Sequence, residues 1–332
     1  MPILTLAEAE ELVVRTLTRC RTEAGNAQSV ARALVSAEAE GQKGHGLSRL
    51  PTYAAQAKAG KVDGFAKPSL AWRRPAAAMV DAKHGFAYPA IDLALAALPE
   101  AARAGGIAAA AIARSHHCGV AGHPVERLAG EGFVALMVAN TPAAIAPWGG
   151  AKPVFGTDPI AFACPLPGRA PIVIDLSLSK VARGNILAAK QKGEKIPDGW
   201  ALDAAGEPTT DPDKALAGTM LPLGDAKGTA LALMVELLSA GLSGANFAAD
   251  ASSFLDAEGP PPGTGQLLIA FDPHAFGGTP DHFAALAAAI EAQPGARLPG
   301  IRRLAAREKA GREGVTVSAA LLAEIAAVAE EQ

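Results

Sequence analysis

The chain opens with apolar positions at helical spacing. Leu12, Val13 and Leu17 follow Thr5 and Glu8, which have the capping-box arrangement, and a second helical pattern runs from about Gln28 to Glu40 with Ala31, Leu34 and Val35 apolar. The stretch from Gly41 to Pro51 breaks the pattern with three glycines before a helix resumes through Tyr53 and Ala57, so His45 and Arg49 fall at a helix entrance. A helix is expected at about 90–104, then an apolar strand from Ile107 to Ala113 that stops at Arg114-Ser-His-His-Cys-Gly119. The same grammar returns twice: residues 133–139 lead into 140–150, and Ile172 to Ile174 end at Asp175-Leu-Ser177. Strands that end in polar residues form the ligand edge of an α/β fold, and these ends are expected to converge on one crevice. Between two turn-rich stretches, 193–212 and 259–265, Thr229 to Leu242 reads as a buried helix. A strand at 267–272, a helix at 281–292, a basic turn from Arg297 to Arg303 and a charged amphipathic tail complete the pattern, with no internal repeat.

Composition narrows this picture. The 332 residues allow one large domain or two lobes with a cleft. Half the residues are apolar while aromatics are scarce, which implies a globular protein packed with small side chains rather than a disordered one. A net charge of −3 with scattered Lys and Arg gives no field for a polyphosphate, so nucleic acid is excluded as the expected partner. No run approaches the roughly 20 apolar residues of a membrane span, and the first residues lack the basic flank and apolar core of a signal peptide, so a cytoplasmic setting is expected. Cys20, Cys118 and Cys164 have no CxxC spacing and read as free thiols.

Several segments carry candidate chemistry. No GxGxxG stands between a strand and a helix; if a dinucleotide binds, other backbone amides must hold it. The loop from Ser115 to His123 has the small residues at a helix start that let amides approach a phosphate, although it also suits a His-rich surface turn. The spacing of His116, His117 and His123 fits no standard zinc pattern, and no metal is expected. His45 can exchange a proton near neutral pH, and Arg49, four residues on, can grip a carboxylate; both residue types also serve as ordinary helix-entrance groups. Arg302 and Arg303 can clasp an extra phosphate or simply be solvated, and Asp175 can accept from a ribose hydroxyl or cap the next turn.

Read together, Gly44-His-Gly-Leu-Ser-Arg-Leu-Pro51, Ser115-His-His-Cys-Gly119, Ala146-Pro-Trp-Gly-Gly150, Phe155-Gly-Thr-Asp-Pro159, Ile174-Asp-Leu-Ser177, Ile196-Pro-Asp-Gly-Trp200 and Pro208-Thr-Thr-Asp-Pro212 resemble the type 2 malate/L-lactate dehydrogenase family along nearly the whole chain. Within it, Thr141 to Gly150 looks most like the Δ1-piperideine-2-carboxylate/Δ1-pyrroline-2-carboxylate reductases. The resemblance implies a non-Rossmann NAD(P)-binding α/β fold, a mixed sheet with surrounding helices, and a homodimer. It implies hydride transfer from NADPH, or NADH in its place, to the C=N carbon of a cyclic imino acid. On matching positions, His45 becomes the proton donor, Arg49 the carboxylate grip and Thr157 a substrate contact. Cofactor contacts fall on His117, Cys118, Gly119, Val120, Ala121, Asp175, Leu176, Ser177, Lys227, Pro299, Gly300, Arg302 and Arg303. The implied division is 1–112 as a helical, substrate-facing and dimerisation part, 113–280 as the NAD(P)H-binding domain, and 281–332 as a C-terminal return.

Two positions depart from the reductases' supposed proton relay: Gly44 stands where they carry Ser, and Asn185 where they carry Asp. Gly44 removes a hydroxyl and Asn185 cannot ionise, so His45 lacks the partners that set its tautomer. Two alternatives therefore stand beside the ketimine reductase: a malate/lactate-type 2-hydroxy acid dehydrogenase, and a catalytically weak NADPH-binding protein.

Overall fold

The computed structural model describes residues 2–330. Thr5 caps α1 (Leu6–Arg19), accepting the Glu8 amide while the Glu8 carboxylate reaches back to the Thr5 amide, so the expected capping box is present. The stripe Val13, Leu17, Val30, Leu34 and Tyr53 then packs α1 against α2 (Ala24–Ala39) and α3 (Leu50–Ala59), making a helical bundle whose core also receives Val315 and Ile325. Near the start of the chain Ile3 and Leu4 pair antiparallel with Thr316 and Val315, which ties the bundle to residues beyond 300.

Seven strands, β1 (Ser69–Arg74), β2 (Ala77–Asp81), β3 (Ile107–Ser115), β4 (Val134–Ala139), β5 (Ile160–Leu166), β6 (Arg169–Leu176) and β7 (Thr264–Phe271), form a mixed sheet in the order β1-β2-β3-β7-β4-β5-β6. Strands β2 and β3 run parallel and the other neighbours antiparallel. Alternation along β3 buries Ala108, Ala110 and Ile112 against α4 (Ala87–Gly105), and α5 (Gly122–Gly130) covers the same face of the sheet. The expected boundary at residue 112 falls inside β3.

The opposite face, through Val138, Leu267 and Ile269, packs on α6 (Arg183–Lys192), α7 (Pro212–Ala217) and α8 (Ala226–Glu236). The turn-rich stretch at 193–212 contributes Ala201–Leu202 and Pro208–Thr209 to a small antiparallel sheet completed by Thr219–Met220. Helices α9 (Pro280–Glu291), α10 (Ile301–Glu313) and α11 (Ala319–Glu330) follow.

Two expectations need correction. The segment from Thr229 to Leu242 is not a buried helix: α8 gives way to a π-helical turn at Leu237–Gly241, and Leu231, Leu233, Met234, Leu237 and Leu242 are exposed. Its apolar residues point all round the helix, whereas the sheet covers one side of it. The basic turn closes earlier than expected, because Gly300 takes a left-handed conformation (φ 88°) that starts α10, placing Arg302 and Arg303 on the first turn of a helix.

Candidate active site

The strand ends converge. Ser115 of β3 faces Thr264 of β7, Ala139 of β4 faces Gln266, and Ile160 of β5 faces both Val138 and Leu176 of β6, so five polar segments leave the sheet along one edge. Thr264 and Gln266 donate to the His116 carbonyl and fix the loop after β3.

Over that loop hangs the segment from Lys43 to Arg49, two short 3-10 turns leading into α3. Buried Glu38 on α2 accepts the Leu47 amide at 3.0 Å, and any Cβ on Gly46 would collide with the same carboxylate, so this glycine is required by packing. Arg49 does not lie one α-turn from His45 on a common helix; it folds back so that its Nε donates to the Gly44 carbonyl at 2.6 Å.

The His45 ring stacks on His117 with 5.1 Å between centroids. Burial, with the charges of Arg49 and His123, lowers its pKa to about 4, so the ring is a neutral imidazole at pH 7. His45 Nδ1 is buried without a hydrogen-bond partner, and nothing surrounds the Cβ position of Gly44. The Asn185 amide bonds to the Ala182 carbonyl at the start of α6.

His117 is held from below by a chain of hydroxyls: its Nδ1 lies 2.5 Å from the Tyr53 hydroxyl, which lies 3.1 Å from that of Tyr88. Burial pushes the Tyr53 phenol up to about 12 and Tyr88 well above its ordinary value, so both stay protonated. Phe254 closes the cluster at 5.3 Å from His117 and 5.0 Å from His116. Tyr53, one helical turn beyond Arg49, was open to sequence reasoning through that spacing; Phe254, in a loop distant in sequence, offered no signal.

The residues singled out for a dinucleotide also lie together. Asp175 Oδ2 accepts the Gly122 amide at 2.8 Å, joining the end of β6 to the start of α5. Gly119 has φ 70°, and a Cβ there would stand 2.7 Å from the Tyr88 hydroxyl. Buried Gly119, Val120 and Ala121 have amides with no acceptor among the described residues, an arrangement suited to phosphate oxygens. Gly300 stands against Val173 of β6, bringing the turn from Pro299 to Arg303 to the same edge. The Ser177 hydroxyl lies 2.7 Å from that of Ser179, and Leu223 on the approach to Lys227 bonds back to Leu178. Cys118 and Val120 also line a cavity of about 520 Å³ reaching α2 and Arg307. The three thiols are free and buried, and burial pushes that of Cys118 up to about 12. These residues fit a dinucleotide held by backbone amides and one carboxylate.

Arg303 is drawn through Nη1 into a carboxylate cluster, while its Nη2 is buried without a partner. It is engaged by Glu40 at 3.0 Å and Glu126 at 2.7 Å, while Arg307 pairs with the same two carboxylates and His123 Nε2 lies 2.9 Å from Glu40. Burial opposes ionisation of Glu40, but His123, Arg307 and Arg303 outweigh it and hold its pKa at about 2. Arg302 is exposed. Thr157, on the far side of the edge, donates its amide to the Thr141 hydroxyl at 2.8 Å.

Comparison with known proteins agrees with this architecture. Residues 4–326 match the family model described as malate/L-lactate dehydrogenase, and the chain belongs to that family. It is 52% identical over 330 residues to a (2R)-3-sulfolactate dehydrogenase (NADP(+)) of Chromohalobacter salexigens, covering 98% of each protein. It is 43% identical over 331 residues to a Δ1-pyrroline-2-carboxylate/Δ1-piperideine-2-carboxylate reductase of Pseudomonas aeruginosa, covering 98% of this chain and 99% of that one. The crystal structure of Δ1-piperideine-2-carboxylate reductase from Pseudomonas syringae pathovar tomato superposes with a TM-score of 0.90 at 35% identity, covering 99% and 100% of the two chains. The expected family, its mixed α/β fold and an NAD(P)-dependent oxidoreductase activity are therefore borne out, with NADPH as a consistent cofactor.

Proposed function

We propose that the protein is an NADPH-linked dehydrogenase of a small 2-hydroxy acid, of the sulfolactate class, interconverting the hydroxy acid and its 2-oxo acid. The observation that carries this reading is the isolation of His45, a neutral imidazole with an unpartnered Nδ1 and a bare Gly44 beside it; the sequence adds Asn185 where the reductases carry an acid. Such a ring is a base ready to take the proton of a hydroxyl, with no relay to keep it charged for an imine nitrogen. The likeness to the sulfolactate dehydrogenase, 52% against 43% for the ketimine reductase, points the same way.

In oxidation, Arg49 grips the substrate carboxylate through its free guanidinium nitrogens and Thr157 bounds the opposite side. His45 accepts the hydroxyl proton as hydride leaves C2. The His117 ring, fixed by Tyr53 and Tyr88, sets the plane of His45. A bound nicotinamide supplies the hydride acceptor or donor. Cofactor contacts are assigned to His117–Ala121, Asp175–Ser177, Lys227, Pro299, Gly300, Arg302 and Arg303, the last through the Nη2 that the carboxylate cluster leaves without a partner. We retain 1–112 as the substrate-facing part, 113–280 as the cofactor-binding part and 281–332 as the return, and in a homodimer a second copy covers the exposed leucines of α8, which extends the dimer contact beyond 1–112. Free buried thiols suit a cytoplasmic setting, and no helix among the described residues is long and apolar enough to cross a membrane.

The second reading, a cyclic ketimine reductase acting on Δ1-pyrroline-2-carboxylate or Δ1-piperideine-2-carboxylate, draws on Thr141 to Gly150 and on the P. aeruginosa relative. NADPH oxidation followed with 3-sulfopyruvate, pyruvate and oxaloacetate beside the two cyclic imines separates them. Faster turnover of an oxo acid is expected; faster turnover of the imines would return the chain to the ketimine reductases.

A further inference from the structure

Two carboxyl groups outside the proposed chemistry lie beside Thr157. Asp158 is fully buried and Glu236 nearly so, and no ion pair joins either to a cation among the described residues. Asp158 precedes β5; Glu236 ends α8, where the helix passes into its π turn. Asp158 Oδ1 accepts the Thr141 amide at 3.3 Å, while its Oδ2 is buried without a partner. Glu236 Oε2 accepts from Asn140 Nδ2 at 3.2 Å and from the Ala248 amide at 3.3 Å, while its Oε1 is likewise unpartnered. Asn140 and Thr141 are consecutive residues, one donating to Glu236 and the other to Asp158, which brings the two carboxyls to the same short segment after β4.

The setting is tight. A Cβ on Gly156 would stand 2.3 Å from the Thr141 hydroxyl and 2.4 Å from Asp158 Oδ1. Asp158 keeps a left-handed backbone (φ 41°), a conformation uncommon outside glycine that Asp reaches more readily than most side chains. Its neighbour Thr157 is pinned in turn, with its hydroxyl 3.3 Å from that of Thr141.

Two buried carboxylates without a cation cannot both ionise, and an oxygen left bare on each is where a retained proton can sit. We propose that Asp158 and Glu236 form a proton-holding carboxyl pair that fixes Thr141 and Thr157, making Asp158 a positioning residue for the substrate contact. The inference rests on the reading above only in giving Thr157 to the substrate. Side chains on the segments around the pair, Asn140, Thr141, Ser239, Asn246 and Gln266, are uncharged; the charges nearest along the chain are the exposed Lys152, six residues before Asp158, Lys227, nine residues before Glu236 on α8, and the exposed Asp250. Burial pushes Asp158 well up and Glu236 to about 7.

An acid whose folded pKa is raised contributes stability below its unfolded pKa and loses it as pH rises toward the folded one. Glu236→Gln, which cannot ionise, should therefore gain about 2–4 °C in Tm relative to the parent between pH 5 and pH 8. In steady-state assays of the full chain with its best substrate, Asp158→Ala should raise KM about tenfold with NADPH affinity intact, and Asp158→Asn should rescue most of that loss. An equal Tm offset at both pH values, or an unrescued Asn variant, overturns the pair. The unfolding arm needs no substrate, so absent turnover on every compound tested sinks the assigned reaction while the pair is still judged by Tm. Should Asp158→Ala not fold, the Asn and Gln variants decide.

Discussion

An imidazole in a protein is defined by what its nitrogens touch. His45 has one nitrogen enclosed without a partner and a cationic Arg49 close by, so its proton affinity falls. A catalytic base of this kind is lost only on protonation. The kcat/KM for hydroxy-acid oxidation should stay level from pH 8 to pH 6 and fall as pH approaches about 4 in pH-jump assays; an inflection near the ordinary histidine value would remove His45 as the base. His116 is a different case: both ring nitrogens are buried without partners among Phe86, Phe254 and Tyr53, and burial, with the charges of Lys61 and Arg49, drives its pKa to about 3. A histidine with a depressed folded pKa gives stability above its unfolded value and loses it as pH falls. By pH 5 that loss is about 2 kcal/mol, so His116→Phe should raise Tm more at pH 5 than at pH 8. A matching change at both pH values would show that the ring is better solvated than its surroundings indicate.

At the scale of elements, the carboxylates Glu40 and Glu126 hold three segments together: the end of α2 that leads to His45, the start of α5 beside the amide loop, and α10 behind Gly300. Breaking a buried ionic group by deleting one member leaves the others uncompensated. Glu40→Ala should lower unfolding stability by about 3–5 kcal/mol, read as the urea midpoint; a loss below about 1 kcal/mol, the surface-pair range, would mean that water reaches the cluster. No local periodicity encodes these partners, since Glu40 and Arg303 are 263 residues apart, and a run of Arg read alone resembles a phosphate clasp. By contrast, His45, Arg49 and the strand ends were legible because glycines interrupt the helical pattern and polar residues terminate apolar strands within a few positions. Helix α8 was misjudged for a physical reason: a largely apolar stretch fits burial by its own fold or by a second subunit equally well. Leu233→Glu with Leu237→Glu should shift the protein from dimer to monomer in light scattering, whereas an unchanged mass would place the dimer contact elsewhere.

Across the whole molecule, the mixed sheet unites residues far apart in the chain, and this part of the topology was hidden from sequence reasoning. The strand expected at 267–272 is found at 264–271, starting inside the stretch read as a loop, and nothing in its composition announces that it sits between β3 and β4 and pairs with both. Strands β1, β2 and β5 went unassigned because the first is largely exposed, the second is only five residues long, and the third follows a turn-rich stretch that obscures its start.

That central position of β7 bears on how the protein is made. A chain growing from the ribosome has already extruded β3 and β4, but the hydrogen-bonding edges they turn toward each other stay open until residues 264–271 appear, and the N-terminal bundle waits longer still for Val315 and Ile325. The nascent protein therefore carries two unpaired strand edges from residue 139 to residue 264, more than a third of its synthesis, the condition under which strands associate with the wrong partner. Premature termination anywhere between 177 and 263 leaves β1–β3 and β4–β6 without the strand that joins them, and such fragments should depend on chaperones far more than the finished enzyme does.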